Sequence, residues 1–381
     1  MSQLSKNLRN SLSTRSAVLV GCVWAVAAFA LQPLSAGNGA PGTAGAQNVG
    51  AQKGKPGAGA PAFATVSTLP SFGGGGNSVA WAVDEAGTVI VGQAYDRDGF
   101  LHAVKWTLQN GSWVMTDLPW PPGAVSATAA GVDNQGVAAG NGFYSGSGQL
   151  PVLWPATGGP TILGCPSDLG SKKVYGISAV GQVVVGTSGG AAAWRPGSCQ
   201  EHLPHLVEGG SSGAFAVNGD GTIVGGVSAL TGPDGPIGMP VRWRNVGGLW
   251  SIEQLDSQSG SVRGANGAGD LAGYVYVPCG SDNDCQRAVI WFAIGGSHQL
   301  DTLGGDASAA SDVNGSGEVV GISMLPRGDF TAFFWSQSVG MVPLPTKGRS
   351  AQPYALSDVR PDGTRLVVGV SNSQPIVWVV R

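Results

Sequence analysis

One pattern recurs along this chain and leaves few folds open to it. The stretch Ala307–Ser323 reads as a small-residue strand, a tight turn at 313–317, and a second strand ending in Gly321. Gly92, Gly140, Gly186, Gly226, Gly273 and Gly369 hold the place of Gly321 in further copies. Each follows an apolar or β-branched run, such as Val89-Ile90-Val91. Most of the turns before them are Gly-ended, such as Val132-Asp133-Asn134-Gln135-Gly136. Asp or Asn opening the turn and Gly in the left-handed region make a short hairpin. A second anchor keeps step: Trp106, Trp154, Trp194, Trp243, Trp291, Trp335 and Trp378 each close a short strand. A third is a leucine on the next strand: Leu118, Leu163, Leu203, Leu255, Leu300 and Leu344. Three anchors in register give four strands per unit and a period of about 45 residues, the mark of a repeat architecture.

The seventh unit stops just after its Trp378 strand and lacks a fourth strand. Phe63–Leu69, ahead of the first unit, has the character of that missing strand. Such an offset is what a closed ring needs when its two termini share one blade, and closure protects sheet edges. The expected fold is all-β: a seven-bladed β-propeller of four-stranded antiparallel blades over residues 63–381. An N-terminal strand closes the ring by completing the last blade. A parallel β-helix is the alternative, but its turns are usually shorter and it needs no complementary offset.

The sixth unit, Ser-Ala-Ala-Ser-Asp-Val-Asn-Gly-Ser-Gly-Glu-Val-Val-Gly followed by Thr-Ala-Phe-Phe-Trp, resembles the HAF repeat of bacterial extracellular proteins. The tripeptide of that name has its nearest forms in His102-Ala103-Val104 and Thr331-Ala332-Phe333. The resemblance implies secretion and a repeat fold, and it brings no catalytic residues with it. Only one copy keeps the histidine, so that side chain is not a shared functional group.

The chain begins as exported proteins do. Lys6, Arg9 and Arg15 precede an apolar run from Ala17 to Leu31, and Leu34-Ser35-Ala36 offers a small-residue cleavage site. The run is short of the about 20 residues that a membrane helix needs. Residues 1–36 therefore read as a cleaved signal peptide, with no transmembrane segment left after cleavage. An uncleaved anchor is one alternative. Lipid attachment at Leu19-Val20-Gly21-Cys22 is another, though most of the apolar run follows that cysteine. Residues 37–62, rich in Gly, Ala, Gln and Pro, read as a flexible linker that cannot bury enough surface to order itself. The expected location is periplasmic or extracellular. A net charge of -3 with scattered Lys and Arg argues against a nucleic-acid partner.

The repeat frame also says which surface is free to vary. Turns between the first and second strands, and between the third and fourth, are short. Loops between the second and third strands, and between units, differ widely in length. In an antiparallel blade these two variable classes emerge on one face, and loops on a rigid scaffold are where function concentrates. Aromatics outside the anchor positions also fall there, namely Tyr95, Phe100, Trp120, Phe143, Tyr144, Tyr274, Tyr276 and Phe330. Aromatic faces beside Asp and Asn suit sugar rings or a protein partner. The candidate ligand-binding set is Tyr95, Asp96, Trp120, Phe143, Tyr144, Tyr276 and Asp329. Trp120, in Leu-Pro-Trp-Pro-Pro, is the one expected to be most exposed. The opposing reading is that several of these aromatics cap the core beneath their loops. The seven anchor tryptophans are expected in the core.

Catalysis and metal binding find little support. Asp312–Gly317 resembles the start of a calcium loop, but Ser323 stands where such a loop needs an acidic residue. Asp282 and Asp284 are the weak remaining cation candidates. The four histidines show no metal-ligand spacing, and no Gly-x-Ser-x-Gly elbow stands out between a strand and a helix. Carboxylates for glycoside cleavage remain available in Asp96, Asp98, Asp234, Asp282, Asp284 and Asp329. The functional expectation is an exported, monomeric, non-enzymatic module without a cofactor, binding a glycan or a protein through the variable face. The alternative is a secreted polysaccharide hydrolase or lyase using carboxylates on that face. Without Cys22 the exported chain has four cysteines. Cys279 and Cys285 flank one loop and are expected to pair. Cys165 and Cys199 stay open, because their register puts them at opposite ends of neighbouring blades, and a disulfide spans at most about 7 Å between Cα atoms.

Overall fold

The computed structural model describes residues 63–73, 77–146, 148–165, 170–180, 182–232, 235–279, 284–348 and 350–381. The signal and linker expected over 1–62 lie outside these residues. Twenty-eight strands form seven four-stranded antiparallel sheets. β1 (Ala64–Thr68) comes first. Blade 1 is β2 (Val79–Val83), β3 (Val89–Tyr95), β4 (Leu101–Gln109) and β5 (Ser112–Asp117). Blade 2 is β6 (Ser126–Val132), β7 (Ala138–Tyr144), β8 (Gly148–Trp154) and β9 (Thr161–Ile162). Blade 3 is β10 (Lys173–Ile177), β11 (Val184–Thr187), β12 (Ala191–Trp194) and β13 (Glu201–His202). Blade 4 is β14 (Ser212–Val217), β15 (Ile223–Gly232), β16 (Gly235–Val246) and β17 (Leu249–Gln254). Blade 5 is β18 (Gly260–Ala265), β19 (Leu271–Pro278), β20 (Asp284–Trp291) and β21 (Ser297–Gln299). Blade 6 is β22 (Ser308–Val313), β23 (Val319–Met324), β24 (Phe330–Ser336) and β25 (Gly340–Pro343). Blade 7 is β26 (Ala351–Leu356), β27 (Arg365–Ser371) and β28 (Gln374–Val380), completed by β1.

The ring closes as the repeat count requires. β1 pairs with β28 in the register Val66↔Trp378, and the Arg381 amide donates to the Phe63 carbonyl at 3.0 Å. The first strand of every blade touches the first strand of the next, β26 against β2 included, so seven inner strands surround a central channel. Buried apolar residues sit between neighbouring blades. Val91, Ala103 and Leu118 of blade 1, for example, pack against Ala127, Val152 and Trp154 of blade 2. The seam is packed in the same way, with Leu69 and Trp106 against Leu366 and Val377.

Each anchor now has a physical cause. The Asp, Asn or Ser that opens the turn between the first two strands accepts backbone N–H groups across it. Asp133 takes Val137 at 2.8 Å, Asn218 takes Ile223 at 2.8 Å, and the Ser178 hydroxyl takes Val183 at 2.9 Å. The repeated glycine lies opposite a β-bulge in the inner strand. A Cβ on Gly92, Gly140, Gly186, Gly226, Gly273, Gly321 or Gly369 would overlap a carbonyl oxygen of that strand. The leucine N–H extends the outer strand pairing, as in Leu118 to Ala103 at 2.9 Å. The tryptophan lies between blades, and four indole N–H groups donate to the proline carbonyl that follows the leucine of the preceding blade. These are Trp106 to Pro70 (2.8 Å), Trp154 to Pro119 (2.8 Å), Trp243 to Pro204 (2.7 Å) and Trp378 to Pro345 (2.6 Å). Gly164 or Asp256 stands where that proline would be for Trp194 and Trp291, and their buried indole nitrogens have no acceptor. Six anchor tryptophans are buried, whereas Trp335 is half-buried and faces His298 with ring centroids 5.7 Å apart.

Both cysteine pairs are bonded. Cys279–Cys285 closes its loop with Cα atoms 5.7 Å apart, and Cys165–Cys199 links two blades with Cα atoms 4.7 Å apart. Blades drawn as parallel slabs would hold Cys165 and Cys199 too far apart to bond, but real blades twist. Neighbouring strands rotate by about 20–25°, so the fourth strand of a blade crosses the first at about 60–75°. The end of one outer strand therefore swings toward the start of the next blade's outer strand. The Trp–Pro bonds record the same approach.

Candidate functional site

The channel wall is set by one repeated irregularity. In every inner strand a register shift leaves one residue unpaired, and that residue is Trp81, Ala130, Tyr175, Phe215, Arg263, Ser311 or Tyr354. A bulge redirects its extra side chain. Here all seven line a cavity of about 150 Å³ in the channel. That is below the about 300 Å³ of a pocket that encloses a whole drug-sized ligand. The channel thus admits one small moiety of a larger molecule.

The four bulge aromatics form two groups. Trp81 and Tyr354, from blades 1 and 7, pack against each other at a tilt of 46° with centroids 4.4 Å apart. The Trp81 indole donates to the Gln93 side-chain Oε1 at 3.0 Å, and the Tyr354 hydroxyl donates to the Gln352 Oε1 at 3.2 Å. Burial pushes the Tyr354 phenol up to about 12. Tyr175 and Phe215 meet edge to face at 5.0 Å. The Lys173 ammonium sits 4.9 Å above the Tyr175 ring. The Arg263 guanidinium lies 4.8 Å from the Phe215 ring and 5.6 Å from that of Tyr274, to whose hydroxyl it donates at 3.3 Å. Burial pushes the Tyr175 phenol up, against the opposing pull of Arg263 and the Thr187 hydroxyl. Gln93, Lys173, Tyr274 and Gln352 stand on the variable-loop side of the bulges, so this end of the channel opens on the variable face.

The other end is polar. A second cavity of about 110 Å³ is bordered by Glu85, Asn134, Asn266, Asn314 and Asp358 at the constant turns. Bonds between blades tie this rim together: Asp358 N–H to Glu85 O (2.9 Å), Asn134 Nδ2 to Glu85 (2.7 Å), Gly315 N–H to the Asp358 carboxylate (2.6 Å). Asp312 lies between the two ends. Its position takes a small residue in other blades, such as Gly264, where a Cβ would meet the Asp312 backbone. Asp312 is half-buried by surface exposure because the channel reaches it, yet it lies deep in the ring. Burial raises its pKa to about 7, with the Asp358 charge adding to that and the Leu356 amide, donating at 2.9 Å, opposing it.

A second cluster stands on the variable face at the rim of blade 1. His102 lies between Asp96 (Nε2–Oδ2 3.2 Å) and Asp117 (Nδ1–Oδ2 3.1 Å). Phe72 and Trp120 flank its ring at 5.1 and 4.9 Å, and Phe100 lies 6.0 Å from Trp120. Burial opposes ionisation of Asp96, but the backbone amides of Phe100 and Asp98 and the His102 ring together hold its pKa below the usual carboxylate value. Asp96 is thus also the residue that shapes its own loop.

The sequence-predicted residues are distributed unevenly. Asp96 and Trp120 come together around His102. Trp120 is half-buried with an unpartnered indole nitrogen, and Phe100 beside it, 50% exposed, is the more open ring. Tyr144 packs beneath Gly123, its hydroxyl buried without a partner, and Phe143 is half-buried beside it. Tyr276 meets Tyr274 edge to face at 5.6 Å and accepts from Gln286 at 3.1 Å, which places it next to the Arg263 arm of the channel. Tyr95 is half-buried at the end of β3 and Asp329 is exposed in the 325–329 turn. Asp282 and Asp234 lie outside the described residues, and Asp284 is exposed at the start of β20. Among the described residues no three His, Cys, Asp or Glu side chains gather as metal ligands.

Sequence reasoning missed the bulge column. Its signal was present: Trp81, Tyr175, Phe215 and Tyr354 each stand two residues before the apolar residue that leads into the turn, Val83, Ile177, Val217 or Leu356.

No family model matches this chain, and no curated protein matches its sequence. Solved structures do match in fold. The β-propeller domain of Cps50 (Swd1) from Myceliophteria thermophila aligns with TM-score 0.52 at 12% identity, over 83% of this chain and 100% of that one. The β-propeller domain of the Trilobed protease from Pyrococcus furiosus aligns with TM-score 0.50 at 10% identity, over 83% and 93%. Virginiamycin B lyase from Staphylococcus aureus aligns with TM-score 0.50 at 9% identity, over 84% and 99%. At these identities the likeness is one of fold.

Proposed function

We propose that this chain is an exported, non-enzymatic binding module of the HAF-repeat kind, holding a glycan on its variable-loop face at the mouth of the central channel. The observation that carries this reading is the bulge column, which turns four aromatic rings, an arginine and a serine into one small opening. Stacked or edge-presented rings beside amide and hydroxyl groups are what the alternating apolar and polar faces of a sugar fit. Two disulfides suit an oxidising compartment outside the cytoplasm, and no helix among the described residues is long and apolar enough to cross a membrane. A glycan-array screen with a parallel pull-down tests the reading. Binding should be lost in Trp81→Ala and Tyr354→Ala. Capture of a protein partner alone would move the assignment to protein recognition.

A secreted polysaccharide hydrolase or lyase is the second reading, favoured by one observation. His102, held between Asp96 and Asp117 and walled by aromatic rings, has the partners of an acid–base group. Turnover of a polysaccharide panel that is abolished by Asp117→Asn would establish this reading over the first.

A further inference from the structure

The two groups of channel aromatics differ in charge. The tilted Trp81–Tyr354 pair donates to two neutral side-chain amide oxygens, of Gln93 and Gln352. The opposite arc, across blades 3 to 5, is a continuous run of Lys173, Tyr175, Phe215, Arg263 and Tyr274, each in contact with the next. It places two cations on either side of one edge-to-face aromatic pair.

Five other arginines of the ring have carboxylate partners. Arg365 pairs with Glu318 at 2.6 Å, Arg242 and Arg244 share Glu253, Arg195 pairs with Glu201, and Arg360 pairs with Asp362. Among the described residues, neither Lys173 nor Arg263 has a carboxylate partner. The hydrogen bond that Arg263 makes to the Tyr274 hydroxyl uses one of its five donors. Burial without a counter-charge pushes the Lys173 ammonium below its usual pKa. The acids of the channel, Asp312, Glu85 and Asp358, lie in its middle and at the constant-turn end. The channel is therefore positive at its variable-face mouth and negative beyond.

We propose that this mouth is selective for an acidic glycan, with Arg263 receiving the carboxylate of a uronic-acid unit and Lys173, beyond the Tyr175–Phe215 pair, adding to the positive potential of the mouth. Across the opening the tilted Trp81–Tyr354 pair supports the sugar ring. The inference rests on the glycan-binding reading above and narrows it. A planar guanidinium offers a carboxylate two parallel N–H donors, and the rings behind it hold the fork in place. Phe215 and Tyr274 also keep water from one side of the guanidinium, so an entering anion meets a cation that is already partly desolvated. The small volume of the channel cavity fits a single sugar unit, the end of a chain or a branch.

The test uses the full protein and a panel of uronate oligosaccharides, each paired with its methyl ester, in which the carboxylate is masked and the chain is unchanged. Titration calorimetry should show at least one acid form binding tenfold or more tightly than its ester, with affinity falling as salt rises. Arg263→Gln should reduce acid binding tenfold or more and Lys173→Met by a smaller factor, and both should bring the acid-to-ester affinity ratio closer to one. Equal affinity for acid and ester would overturn the carboxylate assignment while leaving glycan binding in place. Tight acid binding unaffected by either substitution would overturn its location. Failure of every acid, ester and neutral glycan would overturn both this inference and the reading beneath it. The acid–ester comparison needs no variant, so it stands even if a substitution disturbs folding.

Discussion

The indole N–H of Trp106 donates to the carbonyl oxygen of Pro70 across 2.8 Å, and this bond crosses the seam of the ring. Trp106 belongs to blade 1, while Pro70 directly follows the strand that completes blade 7. The same bond joins blades 1 and 2, 3 and 4, and 6 and 7. The seam is thus built from the contact used elsewhere between neighbouring blades.

That contact has a measurable weight. Trp243→Phe leaves the Pro204 carbonyl unpaired in the core and opens a cavity, which should cost about 2–4 kcal/mol. Trp335→Phe, at a half-buried anchor that follows Leu300-Asp301 in place of Leu-Pro, should cost about 1 kcal/mol. Urea unfolding monitored by far-UV circular dichroism gives both values. Similar losses for the two would show that the Trp–Pro bond adds nothing beyond ring burial.

The glycine opposite each bulge admits no side chain. Gly273→Ala drives a methyl group into the Ser261 carbonyl and should cost about 3 kcal/mol. Gly146→Ala has open space around it and a φ of 79°, so only backbone strain remains, about 1 kcal/mol. Thermal midpoints of the two variants should separate clearly, and a reversed order would contradict the bulge account.

Asp312 should make the ring weaker at high pH. Its folded pKa of about 7 stands above the 3.8 of the unfolded chain, so between these values the folded state holds a proton that the unfolded state has lost. Its contribution therefore falls as pH rises from about 4 to about 7, by at most about 4 kcal/mol. Asp312→Asn keeps an oxygen for the Leu356 amide and removes the titration. Denaturant midpoints at pH 5 and pH 8 should lie closer together in the variant than in the parent, and an unchanged gap argues against this residue as the source.

The two disulfides should differ in weight. Cys165–Cys199 closes a sequence separation of 34 and Cys279–Cys285 one of 6. On the loop-entropy account, their double serine variants should lose about 4 and about 2 kcal/mol respectively. Equal losses in denaturant titration would show that the unfolded-chain constraint is not what these bonds supply.

The ring was legible because its anchors repeat in register. The count of blades, the shared last blade and the variable face all follow from Gly, Trp and Leu columns that one sequence displays. The channel was harder to read. Strand parity assigns side chains to alternate faces, and a bulge inserts one residue that breaks the alternation. Tyr175 and Phe215 therefore pass for ordinary small-strand residues until the glycine opposite them is understood. The acceptor of the Trp indole was hidden for another reason, since Pro70 and Trp106 lie 36 residues apart and in different blades. His102 occurs in one repeat only, so the repeat pattern gives it no weight, yet a site in a repeat protein is built where the copies differ. The Cys165–Cys199 bond depended on twist, which strand order alone does not convey.

Ala64–Thr68 seals the ring by pairing with Gln374–Val380. The decisive comparison is between the unfolding midpoints of a chain beginning at Phe63 and one beginning at Leu69. The shorter chain leaves the edge of blade 7 open and exposes Trp378. Its midpoint should fall and its tryptophan emission should shift to the red before global unfolding. Identical midpoints and emission spectra would mean that the ring does not depend on this strand.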